Sequence, residues 1–338
     1  MALMAAKAVN GAGSGAARVS AEISTDTYPL ANGAIPVRVN TGTAYIKGHE
    51  CPGGHGMPLT KQKAEHFEQL HNREDKILIL PNAWDKGSAR MLQAMGFEAI
   101  ATTSAGYAFS VGKRDWPGEV NRKEALEHCA MMVKATPLPV SADLENGFGA
   151  RPDTVAETIR QAAATGLAGC TIEDTTGKPD EPIFDFTHAV ERITAAVEAR
   201  RSLKRPFMLT ARAENFLHGR PDLDDTISRL IAFEAAGADV LYAPGLSSIE
   251  DIEHVCEAVT KPVNVVIGTA AAHFTVTDLL ECGVRRVSTG SSFARAAIGG
   301  FLQAARELRD KGTFEYAQYA ASFSEIDKLL ETARKART

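Results

Sequence analysis

The first twenty residues, MALMAAKAVNGAGSGAARVS, contain no acid, and their only charges are Lys7 and Arg18. Transit peptides share the missing acids but are richer in arginine, so this stretch reads as an Ala/Gly/Ser extension. No apolar run approaches the roughly 18 residues that a membrane-spanning helix needs, which argues against a membrane protein. No basic stripe is present either: 37 Lys and Arg stand against 42 Asp and Glu, a net charge of −5. A nucleic-acid partner is therefore not expected. The five cysteines (Cys51, Cys129, Cys170, Cys256, Cys282) lack paired spacing, which excludes a disulfide framework. Four of them fall in helix or strand patterns and read as small core residues in a reducing compartment, the cytoplasm.

What remains is ordinary globular composition, 44% hydrophobic and 23% charged, over 338 residues. Residues 1–60 are rich in Gly, Ala, Ser and Thr without a period, and are expected to form an irregular extension. Within them, HECPGGHG offers His49, Cys51 and His55, but no second half of a zinc site follows, so a glycine loop is the expectation. Residues 61–338 read as one domain. Short β-branched runs alternate with helical stretches: ILIL (77–80), AIATTS (99–104), PVSADLE (139–145), GCTIED (169–174), FMLTARAE (207–214), DVLYAPG (239–245), PVNVVIG (262–268) and RRVSTG (285–290). Gly96, Gly166, Gly237 and Gly283 stand where helices should stop. Eight such units predict an α/β fold of the (β/α)8 TIM-barrel class. A doubly wound sheet would more often carry G-x-G-x-x-G after its first strand, and ILILPNAWDKGS has none. The last stretch, 314–336, reads as an extra C-terminal helix with no vacancy on its own barrel, so exchange with a neighbouring subunit is expected.

Barrel active sites form at the C-terminal strand ends. There the sequence places Asp143 and Glu145, then Glu173 and Asp174, then Arg212 and Glu214. Strand alternation puts Asp143 and Glu145 on one face. These acids, with Glu173 from the next strand, would repel one another unless a cation lay between them. All-oxygen ligation favours Mg2+ or Mn2+. Arg212 suits a substrate carboxylate, and Asn264 is a candidate amide for the pocket. Gly290, Ser291 and Ser292, after the last strand, suggest either a phosphate grip or a simple helix cap; the cap is preferred.

Taken in order, NAWD (82–85), TTSAGYAFSVG with Asp115 after it, ADLENGFG (142–149), IED (172–174) and TARAE (210–214) resemble the isocitrate lyase/phosphoenolpyruvate mutase superfamily. The resemblance implies a (β/α)8 barrel whose final helices are exchanged within a homotetramer. It makes Asp143 the direct Mg2+ ligand, with Asp115, Glu145 and Glu173 holding the ion through its waters. Ser104, Ala105 and Gly106 would bind a substrate carboxylate and keto oxygen through backbone amides, and Arg212 a carboxylate or phosphonate. The implied reaction is that of a 2-methylisocitrate lyase-like enzyme: Mg2+-dependent C–C cleavage of a small 2-hydroxy or 2-oxo dicarboxylate through a metal-stabilised enolate.

Three places depart from the superfamily pattern. Its lyases carry a Lys-Lys/Arg-Cys-Gly-His loop after I-E-D, whereas TTGKPDEPIFDF (175–186) retains Lys178 without Cys or His. Ala243-Pro244-Gly245 replaces a glutamate used for tricarboxylic substrates, and Glu145 replaces an aspartate. The missing general acid leaves Tyr107, Glu214, His218 and His273 as candidates. Oxaloacetate decarboxylation and P–C chemistry on phosphonopyruvate stay open, and so does a non-catalytic keto-acid-binding barrel.

Overall fold

The computed structural model describes residues 59–115, 117–268 and 274–336. HECPGGHG, His273 and most of the extension lie outside the described residues. Nine strand segments form: β1 (Leu78–Leu80), β2 (Asn82–Ala83), β3 (Ile100–Thr102), β4 (Val140–Asp143), β5 (Gly169–Glu173), β6 (Met208–Arg212), β7 (Val240–Tyr242), β8 (Val263–Val266) and β9 (Arg286–Ser288). Every pairing is parallel, in the order β1-β9-β8-β7-β6-β5-β4-β3-β2. β1 and β2 are one barrel strand broken at Pro81, which has no N–H for the ladder. The Pro81 carbonyl still accepts the Ala101 amide at 2.9 Å. Because β1 pairs with β9 and β2 with β3, the broken strand closes an eight-stranded barrel.

Around and between the strands lie α1 (Leu59–His71), α2 (Lys86–Ala94), α3 (Ser104–Ser110), α4 (Arg122–Ala135), α5 (Pro152–Ala164), α6 (Phe186–Arg201), α7 (Leu223–Ala236), α8 (Ile249–Ala258), α9 (Val276–Glu281), α10 (Ser292–Lys311) and α11 (Phe323–Lys335). Short polar side chains start them: Asp85, Asn121, Asp222 and Ser248 each accept an otherwise unpaired amide of the first turn. The four helix-stop glycines all take positive φ, from 89° to 109°. Alternation divides the strand residues between two cores. Ile100, Val140, Ile172, Leu209 and Val265 face the helices, while Leu78, Leu80, Ala101, Met208 and Val240 join Phe67 and Leu70 of α1, which pack into the barrel interior. Gly169 permits the close approach of β5 to β6, since a Cβ there would lie 2.4 Å from the Met208 carbonyl oxygen.

Three expectations need correction. Strands expected to run through residues 104, 145 and 214 end earlier. SAGYAFS, which follows the second expected run, forms a helix that the Thr103 side chain caps by accepting the Gly106 amide. The terminal helix has a seat on its own chain: α11 lies on α2, where Ala333 is buried and Gln93 Nε2 donates to the Ala333 carbonyl at 3.1 Å. At the start of α10, Ser291 occupies the cap position without a side-chain cap bond, and the Gly290 amide donates to Asn82 Oδ1 at 2.9 Å.

Candidate active site

Asp143, the last residue of β4, is the hub. Its amide donates to Thr102 Oγ1 at 3.0 Å. Its Oδ2 accepts the Ser104 amide at 3.2 Å and hydroxyl at 2.9 Å, and its Oδ1 accepts Thr171 Oγ1 at 3.3 Å. Arg212, ending β6, reaches the same Oδ1 and Glu173 Oε2 through Nη1, each at 3.2 Å. The other side of the guanidinium holds Glu214, with Nε at 2.8 Å and Nη2 at 2.7 Å from Oε1. The Tyr242 ring lies 4.9 Å from the guanidinium carbon. Asp174 supports this arrangement from outside: it accepts the Glu214 amide at 2.8 Å and pairs with Arg229 at 2.9 Å.

Glu145 arrives by a different route from the one expected. β4 ends at Asp143, so strand alternation does not aim Glu145. It sits in the following loop at φ 50°, and Phe148 follows at φ 62°. Left-handed non-glycine residues cost about 1–3 kcal/mol each and persist where surrounding contacts over-determine them. The loop nevertheless brings Glu145 to one pocket with Asp143, Ser104, Tyr107, His128 and Cys129. Asp115 lies on the exposed loop after α3, where partial desolvation and then the charge of Asp143 push its pKa up. Three carboxylates (Asp143, Glu173, Glu214) thus contact one guanidinium, and Asp115 and Glu145 lie near enough for the charge of Asp143 to shift them.

That excess of negative charge adds to burial in raising the carboxyl pKa values. Burial first, then Asp143 and Asp115, push the Glu145 carboxyl up from 4.5 to about 7. Burial likewise raises Glu173 and Glu214 although Arg212 opposes it, and the acids hold Arg212 protonated against its own burial. A carboxyl whose folded pKa exceeds its unfolded value binds its proton more tightly when folded. Stability is then lost as pH rises from 4.5 towards 7. Thermal melts in EDTA should accordingly show a lower Tm at about pH 7.5 than at about pH 5.5 from this group. A Tm that climbs steadily across this range would contradict it.

The remaining candidates divide. Tyr107 reaches the pocket and stacks on His128 with ring centroids 4.1 Å apart. His218 Nε2 stands 4.0 Å from Glu214, and burial, then Arg212, keeps its pKa low. Ser104, Ala105 and Gly106 form the first turn of α3, but the Ser104 amide bonds Asp143 and the Gly106 amide bonds Thr103 Oγ1 at 3.2 Å. Asn264 is not brought into the cluster. Buried in the barrel, it accepts Arg286 Nε at 2.8 Å and donates to Ser288 Oγ at 3.0 Å. The loop after β5 folds back through an antiparallel bridge between Thr175 and Ile183, leaving Lys178 exposed. No described cysteine replaces the absent one: burial pushes the Cys129 and Cys256 thiols up to about 12, and Cys170 is fully buried in β5.

Sequence reasoning missed Thr102, Thr171 and Tyr242. Thr171 and Tyr242 were legible by alternation, two positions before Glu173 and one strand beyond Arg212. Residues 67–309 match the family model described as phosphoenolpyruvate phosphomutase. The chain belongs to the isocitrate lyase/phosphoenolpyruvate mutase superfamily. A crystal structure of a presumed lyase/mutase from Burkholderia cenocepacia J2315 is 54% identical, with a TM-score of 0.77, covering 80% of this chain and 96% of that one. The 2-methylisocitrate lyase of Halalkalibacterium halodurans is 27% identical, over 75% of this chain and 85% of its own. An oxaloacetate decarboxylase of Paraburkholderia xenovorans is 29% identical, over 70% of this chain and 77% of its own. Members of this superfamily are C–C lyases and mutases. No helix among the described residues is long and apolar enough to cross a membrane.

Proposed function

We propose that the protein is a Mg2+-dependent C–C lyase acting on a small 2-oxo or 2-hydroxy dicarboxylate. The observation that carries this is the convergence of Asp143, Glu173 and Glu214 on the single guanidinium of Arg212, with Glu145 in the same pocket as Asp143, an arrangement short of positive charge. Among the described residues no three His, Cys, Asp or Glu side chains converge as an inner coordination sphere. Mg2+ keeps several of its waters and needs only one or two carboxylates directly. Asp143 is the proposed direct ligand, and Asp115, Glu145 and Glu173 the partners of its waters. Mn2+ has the same oxygen preference. Bound there, the ion supplies Lewis-acid stabilisation of charge developing on the substrate oxygens.

The chain's own residues supply the rest. Arg212 is proposed to orient a substrate carboxylate, its guanidinium held in place by Glu214 and Tyr242. The first turn of α3, at Ser104, Ala105 and Gly106, presents the positive end of a helix beside Asp143. Tyr107 and Glu214 are the proposed proton-transfer groups in place of the absent cysteine. Small substrates suit a site with Ala243-Pro244-Gly245 after β7 in place of a glutamate, and oxaloacetate decarboxylation is the simplest of these reactions. Oxaloacetate, dimethylmalate, 2-methylisocitrate and phosphonopyruvate, each with Mg2+ and with EDTA, test the proposal. Failure of the first three to yield Mg2+-dependent pyruvate or glyoxylate would overturn it, as would turnover of phosphonopyruvate alone, which breaks a P–C bond.

A homo-oligomer, a tetramer by the superfamily resemblance, is part of the same reading. Its support is α10 and the segment after it, which leave Phe301 68% and Phe314 66% exposed along with Leu302 and Leu308. An exposed apolar face of this kind suits burial against a second copy. Light scattering should give an oligomer for the wild type and a smaller species for Phe301→Glu. Monomeric wild-type protein would refute the assembly.

A further inference from the structure

Arg192, on α6, is fully buried, and all three of its hydrogen-bond acceptors are backbone carbonyls. Nη1 donates to Glu173 at 3.0 Å, and Nη2 donates to Asn146 and, at 3.3 Å, to Gly149. The guanidinium carbon lies 4.3 Å from the centre of the Phe184 ring, and the buried Nε has no acceptor. A planar fork set this way is oriented by the two loops it bridges, even at the expense of one of its own donors.

Those loops carry Glu145 and Glu173. The first has left-handed backbone at Glu145 and Phe148, so it needs outside contacts to persist. It gets them on successive carbonyls. Thr158 Oγ1 donates to Gly147 at 2.8 Å, His188 Nε2 pairs with Ala150 at 2.9 Å, and Arg192 takes Asn146 and Gly149. Of these three side chains, Arg192 is the one that also bonds the Glu173 backbone.

We propose that Arg192 is a positioning residue: its guanidinium reinforces the junction of the Glu145 loop with the end of β5 and so holds the two carboxylates at their separation. At that junction the Glu173 amide donates to the Glu145 carbonyl at 3.0 Å, and Asn146 Nδ2 to the Thr175 carbonyl at 3.2 Å. The metal consequence of this inference rests on the Mg2+ reading above, whereas the backbone tie does not. Lysine offers its donors from one atom on a flexible stem and lacks the separated nitrogens with which the planar fork reaches the carbonyls of both segments.

Two readouts on the full chain separate the possibilities. Mn2+ titrated calorimetrically into metal-stripped Arg192→Lys and Arg192→Met should bind about 10- to 100-fold more weakly than to wild type, the loss usual for groups that orient ligands. Hydrogen exchange should quicken by about 10-fold or more in peptides covering 144–150 and 172–176, with α7 and α8 unchanged. Should Arg192→Met fail to fold, Arg192→Lys carries both measurements. Wild-type exchange in the two loops would overturn the proposal, as would acceleration spread evenly over the barrel. If wild type binds no Mn2+, the metal reading fails, and the exchange pattern alone decides whether Arg192 positions these loops.

Discussion

Asp143→Asn is expected to lower Mg2+-dependent turnover by about 10³-fold or more while leaving the melting temperature close to wild type. The size follows from the role. Lewis-acid stabilisation is worth several kcal/mol, and each 1.36 kcal/mol is roughly tenfold in rate. The retained fold follows from the contacts. Asp143 accepts from Ser104 on Oδ2 and from Thr171 on Oδ1, and a carboxamide keeps one acceptor, enough for the Ser104 bonds that anchor α3 while the weaker Thr171 bond is lost. The substitution also removes one negative charge from a set that has too many, so no buried cation is stranded: Arg212 keeps Glu173 and Glu214. Alanine would be the less discriminating choice, because it also deletes the acceptor that anchors the first turn of α3. Turnover at saturating Mg2+, paired with a thermal melt, checks both halves. Near-wild-type activity in Asp143→Asn would remove Asp143 from the metal site.

The barrel was legible because period-two apolar runs and helix-stop glycines leave a strong mark on sequence. All eight expected runs contain strands, although the first run stops at Leu80 and misses its continuation at Asn82–Ala83 beyond Pro81. The acids at the strand ends were legible too, since charged residues after apolar runs have few structural reasons to be there. What local pattern could not supply was side-chain aim beyond the strand. Glu145 was assigned to its pocket by alternation, yet a left-handed loop delivers it. Asn264 sits on the expected strand, but Arg286 and Ser288, neighbours only in three dimensions, take up its amide. Arg192 left a trace that was overlooked. It lies three residues after Ala189 and one before Ile193, within the buried stripe of α6. A charge in an apolar stripe asks for a partner, and its partners are carbonyls far away in sequence.

Arg212→Met carries the largest expected effect on stability, about 3–5 kcal/mol, the usual result of removing one partner from a buried ion pair. Its guanidinium contacts Asp143, Glu173 and Glu214 together, and Glu214 is 3% exposed. Methionine fills the space but leaves those acids without a cation. Glu173 and Glu214, already raised by burial, would be raised further. The sign is then fixed: the folded variant holds protons that the unfolded chain releases, so its deficit against wild type grows as pH rises above the ordinary carboxylate range and shrinks below it. A divalent cation that binds only the folded state should recover part of the loss, about 2.7 kcal/mol at a hundredfold excess over its dissociation constant. Melts of Arg212→Met at about pH 5.5 and 8, with Mg2+ and with EDTA, test this directly. The variant should be weakest at high pH in EDTA and should respond to Mg2+ at least as strongly as wild type does. A deficit indifferent to both pH and Mg2+ would mean that Arg212 fills space rather than balancing charge, and the carboxylate cluster would then have no claim on a cation.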